Sequence, residues 1–406
     1  MEEVSGLVRL ARRFRIPVVA YGGGTGLMGA AVALRGGIMI DSSGLNRIEA
    51  ISKDDMLIRV QSGVILEDLY DQADKRDLLF AHDPWTLPIA TIGGAVSTNS
   101  LGYLGAKYGS IGDQLLALEA VLPDGSFLNT RPAQFSSTGF DLKRLFVGTE
   151  GTFGIVTSAT VRAFPKPEKF ALAAYAFPSF EQGYLAIKEM WASGVTAAMV
   201  DYGEEDPDLG KHGTSELNLA FDGLEMEVEA HLSRTHQIAT KFGARRLDDR
   251  RAREFWDHRH DIALMYKRRI SNIIRREEPR TKFDYIHVSL PASKSQHFRN
   301  ETLQLAKKGD VKVLEVGLWQ GPELFSIVLS STASNPKKAS AKLWRTSNAI
   351  IHYAQDLGGS MEFCHGVGLK LAHLMEREHG LGLEVMRKLK RAVDHLGIMN
   401  PGKTAL

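Results

Sequence analysis

The sequence predicts an α+β fold in two parts. A glycine-rich N-terminal domain spans residues 1–165, a cap with a mainly antiparallel sheet spans 166–360, and a C-terminal segment, 361–406, returns to the first domain. Three observations carry this. Short apolar runs break repeatedly into glycine turns before residue 165. Phe164-Pro165-Lys166-Pro167 then interrupts the chain, because two prolines so close continue neither strand nor helix. After it, strands and helices alternate in the manner of an α+β sheet covered by helices.

The elements follow in order. Val4, Leu7, Val8 and Ala11 fall at helical spacing, so the chain opens in an amphipathic helix. Strands are expected near Pro17–Ala20, Gly37–Asp41, Met56–Gln61, Leu116–Leu122 and Gly154–Phe164, with Pro123-Asp124-Gly125 as a turn. In the cap, a strand over Phe170–Phe177 leads to a helix from Phe180. Strands Thr196–Tyr202 and Ser215–Phe221 precede a helix from Glu225. An arginine-rich stretch follows, then strands Tyr285–Leu290, Lys312–Trp319 and Leu324–Leu329. Helices over Ala339–Leu357 and Gly382–Leu396 close the chain.

At 406 residues and 44% hydrophobic content, the chain can bury one large core or two moderate ones. A net charge of +2 gives no bulk attraction to nucleic acid or anionic membrane. Cys364 is the only cysteine, which excludes an intrachain disulfide and cysteine-rich metal clusters and fits a reducing cytoplasm. No apolar run is long enough for a spanning helix, and Met1-Glu2-Glu3-Val4 does not begin a signal peptide.

The most informative stretch is Tyr21-Gly22-Gly23-Gly24-Thr25-Gly26, which ends the first strand. Backbone without side chains can wrap closely around another molecule. Its free N–H groups form a nest for a phosphate or pyrophosphate. A second block holds Gly93, Gly94, Thr98 and Asn99, and a third runs Gly148-Thr149-Glu150-Gly151-Thr152-Phe153-Gly154-Ile155. Three such blocks suit one long, flat ligand gripped by backbone along its length, and FAD fits that description. A nicotinamide-binding loop is the competing reading, with Asp41 as the acid that ends the next strand. It leaves the second and third blocks without a role.

The three blocks in this order resemble the FAD-binding domain of the vanillyl-alcohol-oxidase and p-cresol-methylhydroxylase superfamily. Cys364-His365-Gly366-Val367-Gly368 and Ile398-Met399-Asn400-Pro401-Gly402-Lys403 resemble two further motifs of its D-lactate and glycolate dehydrogenase branch. The resemblance implies an FAD-binding domain of two subdomains, a substrate cap, and oxidation of a small D-2-hydroxy acid by hydride transfer to flavin N5. Tyr21, Gly22, Gly23, Gly24, Thr25 and Gly26 would cradle the pyrophosphate. Gly93 and Gly94 would let the chain pass the cofactor, with Thr98 and Asn99 as polar contacts. Gly148, Gly151, Gly154 and Ile155 would run beside it, and Asn400 would belong to the same site. The first loop has no histidine, so the FAD is expected to be non-covalent.

Such chemistry needs a base for the hydroxyl proton and a cation for the carboxylate. His365 is the expected base, between Cys364 and Gly366. Lys370 could steady the anionic substrate. Arg259 is the first choice of clamp and Arg253 the second, although Arg250, Arg251, Arg268, Arg269, Arg275 and Arg276 crowd the same region. His258 and His260 fall on different helix faces. The electron acceptor is unspecified, and a homodimer through the cap is compatible with the chain.

The sequence departs from the branch at two places. The branch's divalent-metal ligands are two histidines and a glutamate. Here the matching segment, Glu315 to Leu324, has no histidine, and Cys364 stands at the glutamate position. No catalytic metal is therefore expected. The missing motif admits an alternative of the alkyldihydroxyacetonephosphate synthase type, a flavin-dependent alkyl transfer. The branch also places a strand ahead of the first helix, and here Met1 falls where that helix starts. An unpaired edge is then expected, and with it a third reading, a non-catalytic flavin-domain remnant.

Overall fold

A computed structural model describes residues 1–205, 215–270 and 281–406, apart from the side chains of 267–270. The first helix, Glu2–Phe14, carries acidic residues in its first turn and basic ones in its last, matching the helix dipole. It stops where Arg15 adopts a left-handed conformation. Val4, Val8 and Ala11 are buried as the spacing predicts, whereas Leu7 is 40% exposed. Ser5 takes the inward position instead, and its hydroxyl donates to Gly125 O at 2.6 Å.

Strand Val18–Tyr21 pairs in parallel with Ile38–Asp41. On its other side Val18 bridges Met399, again in parallel. The C-terminus therefore acts as a third rung beside the first glycine loop. Behind it stands a five-stranded antiparallel sheet in the order Ile48–Ser52, Leu57–Gln61, Ile155–Arg162, Leu115–Val121, Phe127–Asn129. The central strand Ile155–Arg162 is buried on both faces except at its last residue, as its apolar and small residues require.

Residues 92–98 correct the reading of the second glycine block as a turn. They form a short helix whose N-cap, the Thr91 hydroxyl, accepts from Gly94 N. Gly93 is needed for packing, because a Cβ there would lie 2.6 Å from Ser62 Cβ. Helix Leu66–Asp74 and strand Ile48–Ser52 were not anticipated.

The cap is a seven-stranded antiparallel sheet in the order 245–246, 169–177, 215–223, 199–205, 312–319, 324–332, 281–289. Helices Phe180–Ala192, Glu225–Lys241, Ser295–Lys308 and Pro336–Asp356 share its large core. Val200, Tyr202, Leu217, Leu219, Leu318, Phe325 and Ile286 belong to that core. The alternate residues, among them Asp201, Trp319, Ser326 and His287, lie on the opposite face. There Trp319, Met199 and Ala220 pack with Tyr103 of the N-terminal domain. The arginine-rich stretch forms two helices, Asp249–His258 and Asp261–Ile270.

Asp201 is half-buried on this inner face. Burial pushes its carboxyl up to about 7, the charges of Glu315 and Glu216 add to this, and a hydrogen bond with the Trp319 side chain opposes it. The folded protein thus binds a proton that the unfolded chain releases near pH 4. Stability from this group is complete below that pH and is lost as pH rises through about 7. Asp201→Asn, which mimics the protonated form, should raise the unfolding temperature by a few degrees relative to wild type at about pH 8 and have little effect near about pH 4. Scanning calorimetry at both pH values checks this; a pH-independent difference would contradict it.

Candidate functional site

A cleft of about 1210 Å³, measured out to open solvent, runs between the glycine blocks and the cap. Tyr21 through Gly26 form one wall, Thr91 through Thr98 a second, and Glu150, Gly151, Gly154 and Ile155 a third. Trp85, Leu101, Trp319, Cys364 and His365 complete the lining.

The first loop is shaped by close backbone approach. A Cβ on Gly23 would lie 2.1 Å from Ile89 O, and one on Gly22 would lie 2.4 Å from the Thr91 hydroxyl. Gly24 has φ +66°. At Gly26 the Cβ direction is open. Among the described residues, no acceptor meets the N–H groups of Gly23, Gly24, Thr25 or Gly26. A row of unpaired donors along a side-chain-free wall fits a pyrophosphate.

The remaining sequence candidates divide. Thr98 lines the cleft, but its hydroxyl donates back to Gly94 O and Ala95 O within its own helix. Asn99 caps that helix in a left-handed conformation, and its Oδ1 accepts from Gly112 N at 3.2 Å. Gly148, with φ +73°, is a turn residue behind the wall. Asn400 does not line the cleft. Its Nδ2 donates to Ala30 O at 3.0 Å and to Glu150 O at 2.6 Å, tying the first and third blocks together.

Arg259 was expected to present a free cation. Instead its Nε donates to the buried Asp83 at 2.9 Å, its Nη1 donates to Trp256 O, and its guanidinium stacks 3.7 Å from the centre of the Trp256 ring. Asp83 also contacts His260 Nε2 at 2.6 Å. A buried carboxylate demands such partners, so Arg259 is committed to it. Arg253 lies on the Asp249–His258 helix. His258 faces solvent beside Asp261, separate from His260, as expected. Arg275 and Arg276, and the side chains of Arg268 and Arg269, lie outside the described residues. Lys370 is likewise committed, to the Asp284 carboxylate, whose other oxygen accepts from the Ser347 hydroxyl.

His365 lines the cleft. Its Nδ1 lies 3.5 Å from Cys364 Sγ and 3.6 Å from Glu362 Oε1, and its ring packs edge-on against His287 with centroids 4.4 Å apart. Burial, then the nearby Lys370 charge, pushes its pKa down to about 4, so the imidazole is neutral near pH 7. Glu362 Oε1 accepts from the backbone N–H of Phe363, Cys364 and His365. Burial outweighs those bonds and raises the Glu362 carboxyl to about 7.

Sequence reasoning missed Glu150 as an anchor, although it stands in the third block. Its carboxylate accepts from Val367 N at 2.7 Å and from Gly368 N at 2.8 Å. Close packing explains both glycines after His365. A Cβ on Gly366 would strike Glu150 Oε1 at 2.2 Å, and one on Gly368 would strike Met28 O at 2.1 Å.

Comparison with known proteins agrees with this geometry. Residues 1–131 match the family model of an FAD binding domain, and residues 166–404 match that of the C-terminal domain of FAD linked oxidases. The chain belongs to the FAD-linked oxidases. Glycolate oxidase subunit GlcD of Bacillus subtilis is 28% identical over 415 residues, covering 99% of this chain and 86% of that one. The mitochondrial D-lactate dehydrogenase [cytochrome] of Arabidopsis thaliana is 27% identical over 425 residues, covering 99% and 71%. The structure of p-cresol methylhydroxylase with substrate bound superposes with a TM-score of 0.80 at 17% identity, covering 100% and 87%, and so shares the fold. This FAD-linked oxidase is an FAD-dependent oxidoreductase with the α+β architecture expected from its sequence. Among the described residues, no helix is long and apolar enough to cross a membrane.

Gly23→Ala forces its methyl onto Ile89 O and should weaken FAD binding by about tenfold or more, ~1.4 kcal/mol. Flavin absorbance retained after desalting measures this; wild-type retention would contradict the cradle assigned to the loop.

Proposed function

We propose that this enzyme oxidises a small D-2-hydroxy acid of the lactate or glycolate type. The observation that carries the reading is His365: a neutral imidazole at the cleft wall, with Nδ1 turned toward Glu362. That orientation leaves Nε2 to accept the substrate's hydroxyl proton, with Glu362 as the orienting partner. The names of the relatives, a glycolate oxidase and a D-lactate dehydrogenase, support the substrate class.

Bound FAD supplies the hydride acceptor at its N5. Tyr21 to Gly26 would hold its pyrophosphate through backbone N–H groups, with Gly151, Gly154 and Ile155 on the facing cleft wall. The association is non-covalent, since no histidine or cysteine stands in the first loop. Trp85 and Trp319 line the same cleft as His365 and give it apolar surface. Arg259, whose Nε is held by Asp83 and Nη1 by Trp256 O, is the candidate clamp for the substrate carboxylate through its remaining Nη2. An external acceptor then takes the electrons.

The test is anaerobic mixing of the FAD-loaded protein with D-lactate, glycolate and D-2-hydroxyglutarate in turn. One of them should bleach the flavin band, and His365→Ala should slow that bleaching by about 100-fold or more. Bleaching by none would overturn the substrate class and favour the alkyl-transfer alternative. A His365→Ala variant that bleaches at the wild-type rate would overturn the base.

A further inference from the structure

The expectation of no metal rested on the ligands missing from residues 315–324 and on the cysteine at position 364. The fold, however, brings a different donor set together. One donor atom each from His287, Glu362, Cys364 and His365 lies within 4.8 Å of the others. His287 comes from the edge strand Thr281–Ser289, and the other three from the loop that follows Gly359. No residue of 315–324 contributes.

Two details point to a ligand at this place. His287 Nε2 contacts the Ser326 hydroxyl at 3.2 Å, while its Nδ1 is buried with no hydrogen-bond partner. A metal-bound histidine has this arrangement, with one nitrogen fixed by an outer partner and the other left for the ion. Glu362 is similarly prepared. Its Oε1 is held by three backbone N–H groups, which fix the carboxylate and leave Oε2 as a donor. Cys364 Sγ contacts His365 Nδ1 at 3.5 Å and hydrogen-bonds to the Glu362 carboxylate, so the thiol already sits against a second donor of the set.

We infer that His287 Nδ1, Glu362 and Cys364 Sγ form a binding site for a divalent transition-metal ion of the zinc class. A nitrogen, a carboxylate oxygen and a thiolate form a donor set suited to zinc or cobalt and unsuited to magnesium or calcium. Ligand atoms around such an ion stand about 3.5 Å apart, which small side-chain rotations achieve from the observed spacing. The thiolate and the carboxylate balance the ion's two charges. The Lys370 ammonium nearby is already paired with Asp284. The donor set adjoins the cleft, which Cys364 and His365 line. The inference is independent of the hydroxy-acid reading and leaves His365 as a neighbour of the ion rather than a ligand.

The test uses untagged, FAD-loaded protein stripped with a chelator. After dialysis against Zn2+, elemental analysis should find one ion per chain. Titration with Co2+ should produce a near-ultraviolet thiolate-to-cobalt charge-transfer band that saturates at the same ratio. Cys364→Ser and His287→Asn should each abolish the band while keeping bound flavin, whereas His365→Ala should retain it. Substoichiometric zinc, or a cobalt band that survives both Cys364→Ser and His287→Asn, would overturn the site. Loss of the band in His365→Ala would overturn the three-ligand assignment. None of these readouts depends on turnover, so a failure of the substrate assignment leaves them intact.

Discussion

Asn400 is the constraint on which the rest of the cleft depends. Its backbone N–H donates to Val18 O at 2.7 Å, extending the first strand pair with the C-terminus. Its side-chain amide donates to the carbonyls of Ala30 and Glu150, which follow the first glycine loop and sit within the third block. A single buried amide thus spans three segments that are far apart in sequence. Lys403 reinforces it, with Nζ donating to Val32 O at 2.7 Å from a fully buried position. Lys390 does the same for the last helix, bonding Thr152 O, Asp394 and Met399 O. Buried donors left unpaired cost about 1–3 kcal/mol each, so these contacts hold the glycine walls at fixed separation.

From Asn400 the order passes through Glu150 to the reacting end. The Glu150 backbone is held by Asn400, and its carboxylate holds the N–H groups of Val367 and Gly368. His365 is thereby placed relative to the first glycine loop by a short chain of hydrogen bonds. Burial is the common electrical theme. Glu150 and Glu362 are both raised to about 7, and His365 is lowered to about 4. The cleft therefore keeps its ionisable side chains close to neutral, and the two cations expected to greet an anion, Arg259 and Lys370, are already neutralised by Asp83 and Asp284.

The sequence showed the architecture well and the side-chain partnerships poorly, for a physical reason. Glycine blocks, alternating strands and the proline break at 164–167 are local signals, and the antiparallel cap and the FAD-binding domain followed from them. Gly93 and Gly94 were legible as glycines but not as a helix, because the helix owes its place to Thr91 capping and to Ser62 packing. Arg259 looked like a free clamp because Asp83, its partner, lies 176 positions away. The partner of Lys370, Asp284, is likewise distant, 86 positions away. The convergence of His287 with the Cys364 loop also had no local signature, since an edge strand of the cap and the C-terminal segment meet only in the fold. Missing ligands at one place in a sequence do not preclude donors assembled from another.

The most direct measurement of this account is FAD affinity in Asn400→Gly, which removes the side-chain amide and tolerates the positive φ of 41° at this position. Asn400 does not line the cleft, so a purely local role would leave affinity unchanged. If the amide holds the glycine walls together, FAD binding should weaken by about tenfold or more, with faster amide hydrogen exchange at Val367 and Gly368. Wild-type affinity and unchanged exchange would contradict the central claim.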